Sequence, residues 1–265
     1  MRIEAGTRAF ITGASRGIGA ALAEALAARG AVVGLAARSQ DQLDAVAARL
    51  PGEHHALACD VADARSVKDG IDGFAERAGG IDLLVANAGI THYGPFRDQP
   101  LELAEQMTAV NWNGTLYTVH AGLPHLLGQG RGHVVVMSSG AGLRSFPSAA
   151  VYGATKAAQR MFAEALRHEL AGTGISLTVV YPGEIATSLH DHEKDRMPAW
   201  YRGGPDAAPA AGMAAKIVEG VERDARAVYH PPLVQLLGAV HNVTPRGADA
   251  LLRRLRGASA APRRD

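Results

Sequence analysis

Tyr152 and Lys156 are the two residues of this 265-residue chain whose types and spacing point most directly to chemistry. In a helix, residues four apart lie one turn above the other on a shared face, so Tyr152-Gly153-Ala154-Thr155-Lys156 sets an ammonium beside a phenol. A free phenol titrates near ~10 and is a poor acid-base catalyst at neutral pH, whereas a fixed positive charge beside it favours the phenolate. With six tyrosines and four lysines in the chain, the spacing alone is weak evidence. Its meaning depends on what surrounds it. Upstream, the apolar run His133-Val134-Val135-Val136-Met137 reads as a strand that delivers Ser138 and Ser139 to its carboxyl end, Ser139 preceding Tyr152 by thirteen residues.

These side chains need a scaffold, and the chain alternates strand and helix from near its start. Arg8 to Thr12 reads as a strand, followed by a glycine-rich turn and an Ala/Leu-rich helix that stops at Arg29-Gly30. Ala31 to Ala36 is a continuous apolar strand of the kind buried on both faces. The alternation continues with a helix from about Gln40 to Leu50, a strand at His55 to Ala58, a helix from Asp63 to Ala78 and a strand from Ile81 to Ala86. A long helix begins near Leu101, and after the strand carrying Ser139 come a helix from Tyr152 to Leu170 and a strand from Ile175 to Tyr181. This order predicts an α/β fold: a doubly wound parallel sheet with helices on both faces.

Composition agrees with one large domain, since hydrophobic residues make up 47% and charged residues 20% of the chain. A net charge of +1 offers no general attraction to nucleic acid. Cys59 is the single cysteine, so it forms no internal disulfide and has no partners for a zinc site, which suits the cytoplasm. The N-terminus has no apolar h-region, and no run approaches the ~18 apolar residues of a membrane span.

The turn Gly13-Ala14-Ser15-Arg16-Gly17-Ile18-Gly19 follows the first strand and opens a helix. Glycines there permit a sharp turn and close approach of backbone to a pyrophosphate, which the helix N-terminus attracts. The spacing is Gly-x-x-x-Gly-x-Gly and departs from the generic Gly-x-Gly-x-x-Gly. At the end of the second strand an acidic residue would select a free ribose 2′-hydroxyl, but the chain reads Ala37-Arg38-Ser39. Arg16 and Arg38 converging on a 2′-phosphate favour NADP(H) over NAD(H). Asp60, followed by Val61, stands where a carboxylate meets an adenine amino group or caps the next helix. Asn87-Ala88-Gly89 ends the fourth strand, where Asn braces the sheet or touches cofactor. Asn111 falls inside the long helix, where a mediocre helix former beside Gly114 points to a local kink and a functional group.

Taken in order, Thr12 to Gly19, Asp60-Val61, Asn87-Ala88-Gly89, Asn111, Ser139, Tyr152-x-x-x-Lys156 and Pro182-Gly183 with Thr187 make the chain resemble the short-chain dehydrogenase/reductase family. The resemblance spans residues 12 to 187. It implies a single Rossmann-type domain with a core of about 7–230, a variable substrate lid of about 184–204 and a basic amphipathic extension of about 231–265. It also implies a catalytic set of Asn111, Ser139, Tyr152 and Lys156. Tyr152 is then the general acid/base, Lys156 depresses its pKa and holds the nicotinamide ribose, and Ser139 donates to the substrate oxygen. Asn111 fixes a water that links Lys156 to solvent, while Pro182, Gly183, Ile185 and Thr187 orient the carboxamide. A homodimer or homotetramer is the usual assembly. A nicotinamide-binding sensor that keeps the fold without the reaction is the alternative, and the intact Asn111, Ser139, Tyr152 and Lys156 argue against it.

The substrate side rests on composition. The lid carries Leu189, Met197, Pro198, Trp200 and Tyr201 among charged residues, and His92, Tyr93, Phe96, Leu143 and Phe146 are candidate pocket walls. An apolar ketone or alcohol fits these better than a sugar or dicarboxylate. His190-Asp191-His192-Glu193 has the residue types of metal ligands, but hydride transfer needs no metal and a solvated lid accounts for the run. The tail from Pro231-Pro232, with Leu251, Leu252 and Leu255 beside Arg253, Arg254 and Arg256, is a basic amphipathic end. Packing on the sheet edge or at a subunit contact is favoured over contact with a membrane surface.

Overall fold

The computed structural model describes residues 1–193 and 207–256, without the side chains of residues 192 and 251–256. Its order begins β1 (Arg8–Thr12), α1 (Gly17–Ala27), β2 (Val32–Ala37), α2 (Gln40–Ala47), β3 (His55–Ala58), α3 (Ala64–Ala78) and β4 (Leu83–Ala86). It continues with α4 (Leu101–Met107), α5 (Gly114–Gln129), β5 (Gly132–Met137), α6 (Ala150–Glu169) and β6 (Ile175–Pro182). The short strands β7 (Ile185–Ala186) and β8 (Ala208–Pro209) pair with each other, and α7 (Ala210–Glu222), β9 (Ala227–His230), α8 (Leu233–Val243) and α9 (Pro245–Arg256) follow.

Seven parallel strands lie in the order β3-β2-β1-β4-β5-β6-β9. The direction of winding reverses between β1 and β4, and a crevice opens at such a switch point beyond the carboxyl ends of the strands. Both faces of the sheet are covered, so the strands are apolar without alternating polar residues. In β1, Ala9 and Ile11 enter one core with Leu22 and Leu26 of α1 and Ile217 of α7. Phe10 between them enters the opposite core with Phe74 of α3, Leu126 of α5 and Leu166 of α6. Period-two alternation thus feeds two hydrophobic cores rather than one core and a solvent face.

Several boundaries differ from the sequence expectation. β4 starts at Leu83, two residues late, although Asp82 is tied to both neighbouring strands: its N donates to the Arg8 carbonyl at 2.8 Å, its carbonyl accepts from His133 N at 2.9 Å, and its carboxylate accepts from Arg8 N at 3.0 Å and Nε at 2.7 Å. The helix expected from Asp63 begins at Ala64, with the Asp63 side chain as its cap, accepting from Arg65 N at 2.9 Å. Asp60 therefore does not cap α3; its Oδ1 accepts from Ala62 N at 2.9 Å within the preceding turn. The long helix from Leu101 breaks into α4, a π-helical turn at Thr108–Asn113 and α5. Beyond β6 the sequence reading placed no regular elements before the tail, yet α7 and β9 complete the two-faced sheet there. Among the described residues no helix is long and apolar enough to cross a membrane.

One close backbone approach is at the first turn. Gly19 faces the Gly13 carbonyl so tightly that a Cβ would collide with that oxygen, and the obstacle is backbone, which yields little. Gly19→Ala should therefore lower stability by ~1–3 kcal/mol, the usual cost of overpacking. Urea unfolding reads this directly, and an unchanged midpoint would contradict the tight packing.

Candidate active site

The crevice is a cavity of about 630 Å³ at the carboxyl ends of the central strands. Every residue assigned from the sequence to cofactor binding lines it, from Gly13 in the first turn through Arg38, Asp60 and Asn87 to Thr187. Ser139, Tyr152, Lys156 and Leu189 line it too. Its glycine turn fits a pyrophosphate. Gly13 and Gly17 hold φ of +67° and +58°, and a Cβ on Gly13 would stand 2.8 Å from the Ala88 Cα. Arg16 is the N-cap of α1 without a side-chain cap bond, so the first N–H groups of the helix face the crevice. Asn87 fastens the turn to β4, its Nδ2 donating to the Thr12 carbonyl at 2.8 Å and to that of Gly13 at 3.2 Å. Arg16, Arg38 and Ser39 all border the same cavity, together with Gln42, which the sequence reading passed over.

The reacting groups sit at the other end. Tyr152 and Lys156 are 6% and 3% exposed on α6, with Lys156 Nζ 5.8 Å from the centre of the Tyr152 ring. Lys156 donates to the Met137 carbonyl at 2.9 Å, and Ser138 Oγ donates to the Lys156 carbonyl at 2.7 Å, which ties the helix to the end of β5. Ser139 Oγ accepts from Ala141 N at 3.1 Å, and the hydroxyl stands beside the Tyr152 side chain on the wall of the same cavity. Burial raises the Tyr152 pKa above its ordinary value, partly offset by the neighbouring Ser139 hydroxyl. Burial also pulls Lys156 down to about 7. The expectation that Lys156 depresses the phenol pKa is not met by these two groups alone: burial dominates both shifts.

Asn111 is fully buried in the π turn and does not line the cavity. Its Oδ1 accepts from Ile90 N at 2.8 Å, and its Nδ2 donates to the Ile90 carbonyl and to Thr155 Oγ1. The Asn111 carbonyl accepts from Gln159 Nε2 at 2.8 Å and from Thr115 Oγ1. Both amide hydrogens are committed, and Oδ1 keeps capacity for one further bond on the Lys156 side. Gly89 marks that side, since a Cβ on it would lie 3.4 Å from both Asn111 Oδ1 and Lys156 Nζ. Gln159 and Thr155 were missed in the sequence, although they share the helical face of Tyr152 and Lys156.

The substrate-side assignments divide. His92 and Tyr93 do not line the cavity; they form a buried clasp behind it. Glu193, 2% exposed, accepts from Tyr93 N at 3.1 Å and pairs with His92 Nδ1 at 2.8 Å. The Tyr93 hydroxyl meets His190 Nδ1 at 3.1 Å, and its ring lies edge-on to Tyr152 with centroids 6.3 Å apart. Glu193 is therefore an anchored residue and not part of a solvated run. Among the described residues no group of three or more His, Cys, Asp or Glu side chains is gathered as a metal site. Leu143 packs against Gly238 of α8 instead of the cavity, and Phe96 is 65% exposed. Trp200, Met197, Pro198 and Tyr201 lie outside the described residues.

The depressed Lys156 pKa has a stability consequence. Between about 7 and the ordinary ~10.5 the unfolded chain holds a proton that the folded chain has shed, so this group's contribution to stability rises with pH. Relative to Lys156→Met, the wild type should gain stability as pH rises from 7 to about 9. Parallel curves of unfolding free energy against pH for the two proteins would contradict it.

Comparison with known proteins bears on this geometry. The profile of the short chain dehydrogenase family matches residues 7–198. A glycine betaine reductase of Emericella nidulans is 39% identical over 187 residues, covering 69% of this chain but only 15% of that longer protein. An uncharacterized oxidoreductase of Staphylococcus epidermidis is 35% identical over 181 residues, 68% of this chain and 79% of its own length. A short chain dehydrogenase/reductase from Burkholderia phymatum, solved with NAD, superposes over the whole of both chains with a TM-score of 0.85 at 25% identity. An alcohol dehydrogenase from Thermococcus sibiricus, solved with 5-hydroxy-NADP, covers 84% of this chain and 94% of its own, with a TM-score of 0.73 at 29% identity. The chain belongs to the short-chain dehydrogenase/reductase family of NAD(P)-dependent oxidoreductases.

Proposed function

We propose that the enzyme is an NADP(H)-preferring reductase or dehydrogenase that interconverts an apolar ketone and its secondary alcohol, with Tyr152 as the proton donor and acceptor. The observation that carries this reading is that the buried Tyr152 and Lys156 line, with Ser139 beside them, the same cavity as the glycine turn. The bound nicotinamide supplies or takes the hydride at the carbonyl carbon. Everything else falls to the chain. Ser139 Oγ and Tyr152 Oη bracket the carbonyl oxygen, so negative charge developing there meets two donors in a site with little water. Tyr152 then gives up its proton as the C=O π bond becomes C–H and O–H. Lys156, with its pKa pulled down to about 7, relays the replacement proton from the Asn111 side and holds the ribose hydroxyls. Proline and glycine at 182–183, with Ile185 and Thr187, orient the carboxamide.

The NADP(H) preference rests on Arg16 and Arg38 bordering the cavity with Ser39, the end of β2 carrying Arg38 in place of an acidic residue. Family relatives have been solved with either cofactor, so the preference is this chain's own property to test. The single cysteine and near-neutral charge fit work in the cytoplasm, and the family habit is a homodimer or homotetramer.

Replacing Tyr152 with Phe should lower kcat for ketone reduction by ~10²-fold or more while leaving the Kd for NADPH within a few-fold. Undiminished turnover would refute the assigned donor. Replacing Arg38 with Glu should raise the KM for NADPH by ~10–100-fold and leave that for NADH the same or lower, the worth of one or two charge-assisted bonds. Equal kcat/KM with both cofactors in the wild type would overturn the preference.

A further inference from the structure

Ser139 is reached from two sides. Beyond the main cavity lies a second one of about 130 Å³, and Ser139, Pro182 and Gly183 line both. Its apolar walls are Ala141 and Phe146, from the segment after Ser139, and Val234 and Leu237 of α8. Val234 is seated on backbone. A Cβ on Gly140 would stand 3.1 Å from its Cγ1, and one on Gly183 would stand 2.8 Å from its Cγ2. The C-terminal helix is therefore pressed against both the strip that carries Ser139 and the segment that follows β6. Two charged residues, Arg144 and Glu184, also border the space. Arg144 is 15% exposed; its Nη2 donates to Asp249 of α9 at 2.6 Å, which ties the last helix to the Ser139 loop, while its buried Nε makes no hydrogen bond.

We propose that this second cavity holds the non-reacting arm of the substrate, and that the arm is a neutral apolar ring of about six carbons, phenyl or cyclohexyl, selected by Val234 and Leu237. The inference rests on the proposed reduction at Tyr152. Size supports it, because an apolar cavity of ~150 Å³ takes up benzene. Charge points the same way. A carboxylate arm would lose its water and face Glu184, and would share the Arg144 guanidinium with Asp249, which already holds its Nη2. A ketone whose oxygen sits at Ser139 has two substituents to place, and the arm entering this side is limited by α8. The C-terminal helices are on this account a specificity wall, which absorbs the tail that the catalytic motifs leave unexplained.

The test compares 2-butanone, acetophenone, 2-acetylnaphthalene and 3-oxobutanoate as substrates with saturating NADPH, in wild type, Leu237→Ala and Leu237→Trp. Leu237 is outside the catalytic set. Wild type should prefer acetophenone over 2-butanone and 3-oxobutanoate by tenfold or more in kcat/KM. Leu237→Trp should cost acetophenone ~10–200-fold, the range set by pocket fit, while changing 2-butanone less than threefold, and Leu237→Ala should shift preference toward the naphthyl ketone. Equal losses on acetophenone and 2-butanone, or a preference for 3-oxobutanoate, would overturn the assignment. A second readout does not need turnover: calorimetric titration of 1-phenylethanol into the NADPH-loaded protein, a pair that cannot react. Loss of binding in Leu237→Trp supports the subsite, and equal binding in both proteins overturns it. Absence of turnover with every ketone, alongside Leu237-dependent binding, would count against the Tyr152 reading and not against the cavity.

Discussion

Two titratable side chains are carried almost entirely out of water on α6, and the rest of the site is arranged around that cost. An isolated buried ammonium is expensive by several kcal/mol, which is why Lys156 is pulled down to about 7 and why its Nζ is aimed at the Met137 carbonyl. Tyr152 suffers the opposite push for the same reason, and the neighbouring Ser139 hydroxyl works against it. A group near neutrality in its proton affinity, set next to a phenol that resists ionising, is suited to passing a proton when charge appears on a neighbouring oxygen. Neither would have that character on an exposed helix.

Holding α6 in place takes contacts from three directions. Ser138 grips the Lys156 carbonyl from β5, Asn111 and Gln159 lock the π turn against Thr155 and the helix, and the Tyr93 ring closes the face beside Tyr152. The π turn matters because a regular helix from Leu101 to Gln129 would carry Asn111 elsewhere; one widened turn directs its amide at Ile90 and its carbonyl at Gln159. At the opposite end of the cavity the glycines do comparable work by subtraction, keeping side chains away where the first turn, Ala88 and the helix N-terminus converge.

The sheet and the cofactor end were legible in the sequence because their signals are local. Apolar runs of strand length between helical stretches give a parallel sheet, and a glycine turn between strand and helix gives the crevice. The residues assigned to a cofactor from the motifs all border one cavity. Long-range features were not legible. Glu193 among charged neighbours reads as solvated, and nothing nearby signals that it bonds a loop about a hundred residues away. Leu143 reads as a pocket wall, but its position is decided by Gly238 on a helix far along the chain. The Tyr152 pKa was misjudged for a similar reason: spacing reveals the nearby charge, whereas burial, which acts more strongly, depends on the whole fold. Gln159 was within reach, because it repeats the period of Tyr152, Thr155 and Lys156 on one face.

The central claim is that the substrate oxygen is held between Tyr152 and Ser139. A crystal structure of the enzyme with NADP(H) and a bound secondary alcohol tests it most directly. The account predicts the carbinol oxygen within hydrogen-bonding distance of both Tyr152 Oη and Ser139 Oγ. An alcohol well ordered in the cavity, with its oxygen bonded to other groups and to neither of these, would contradict it.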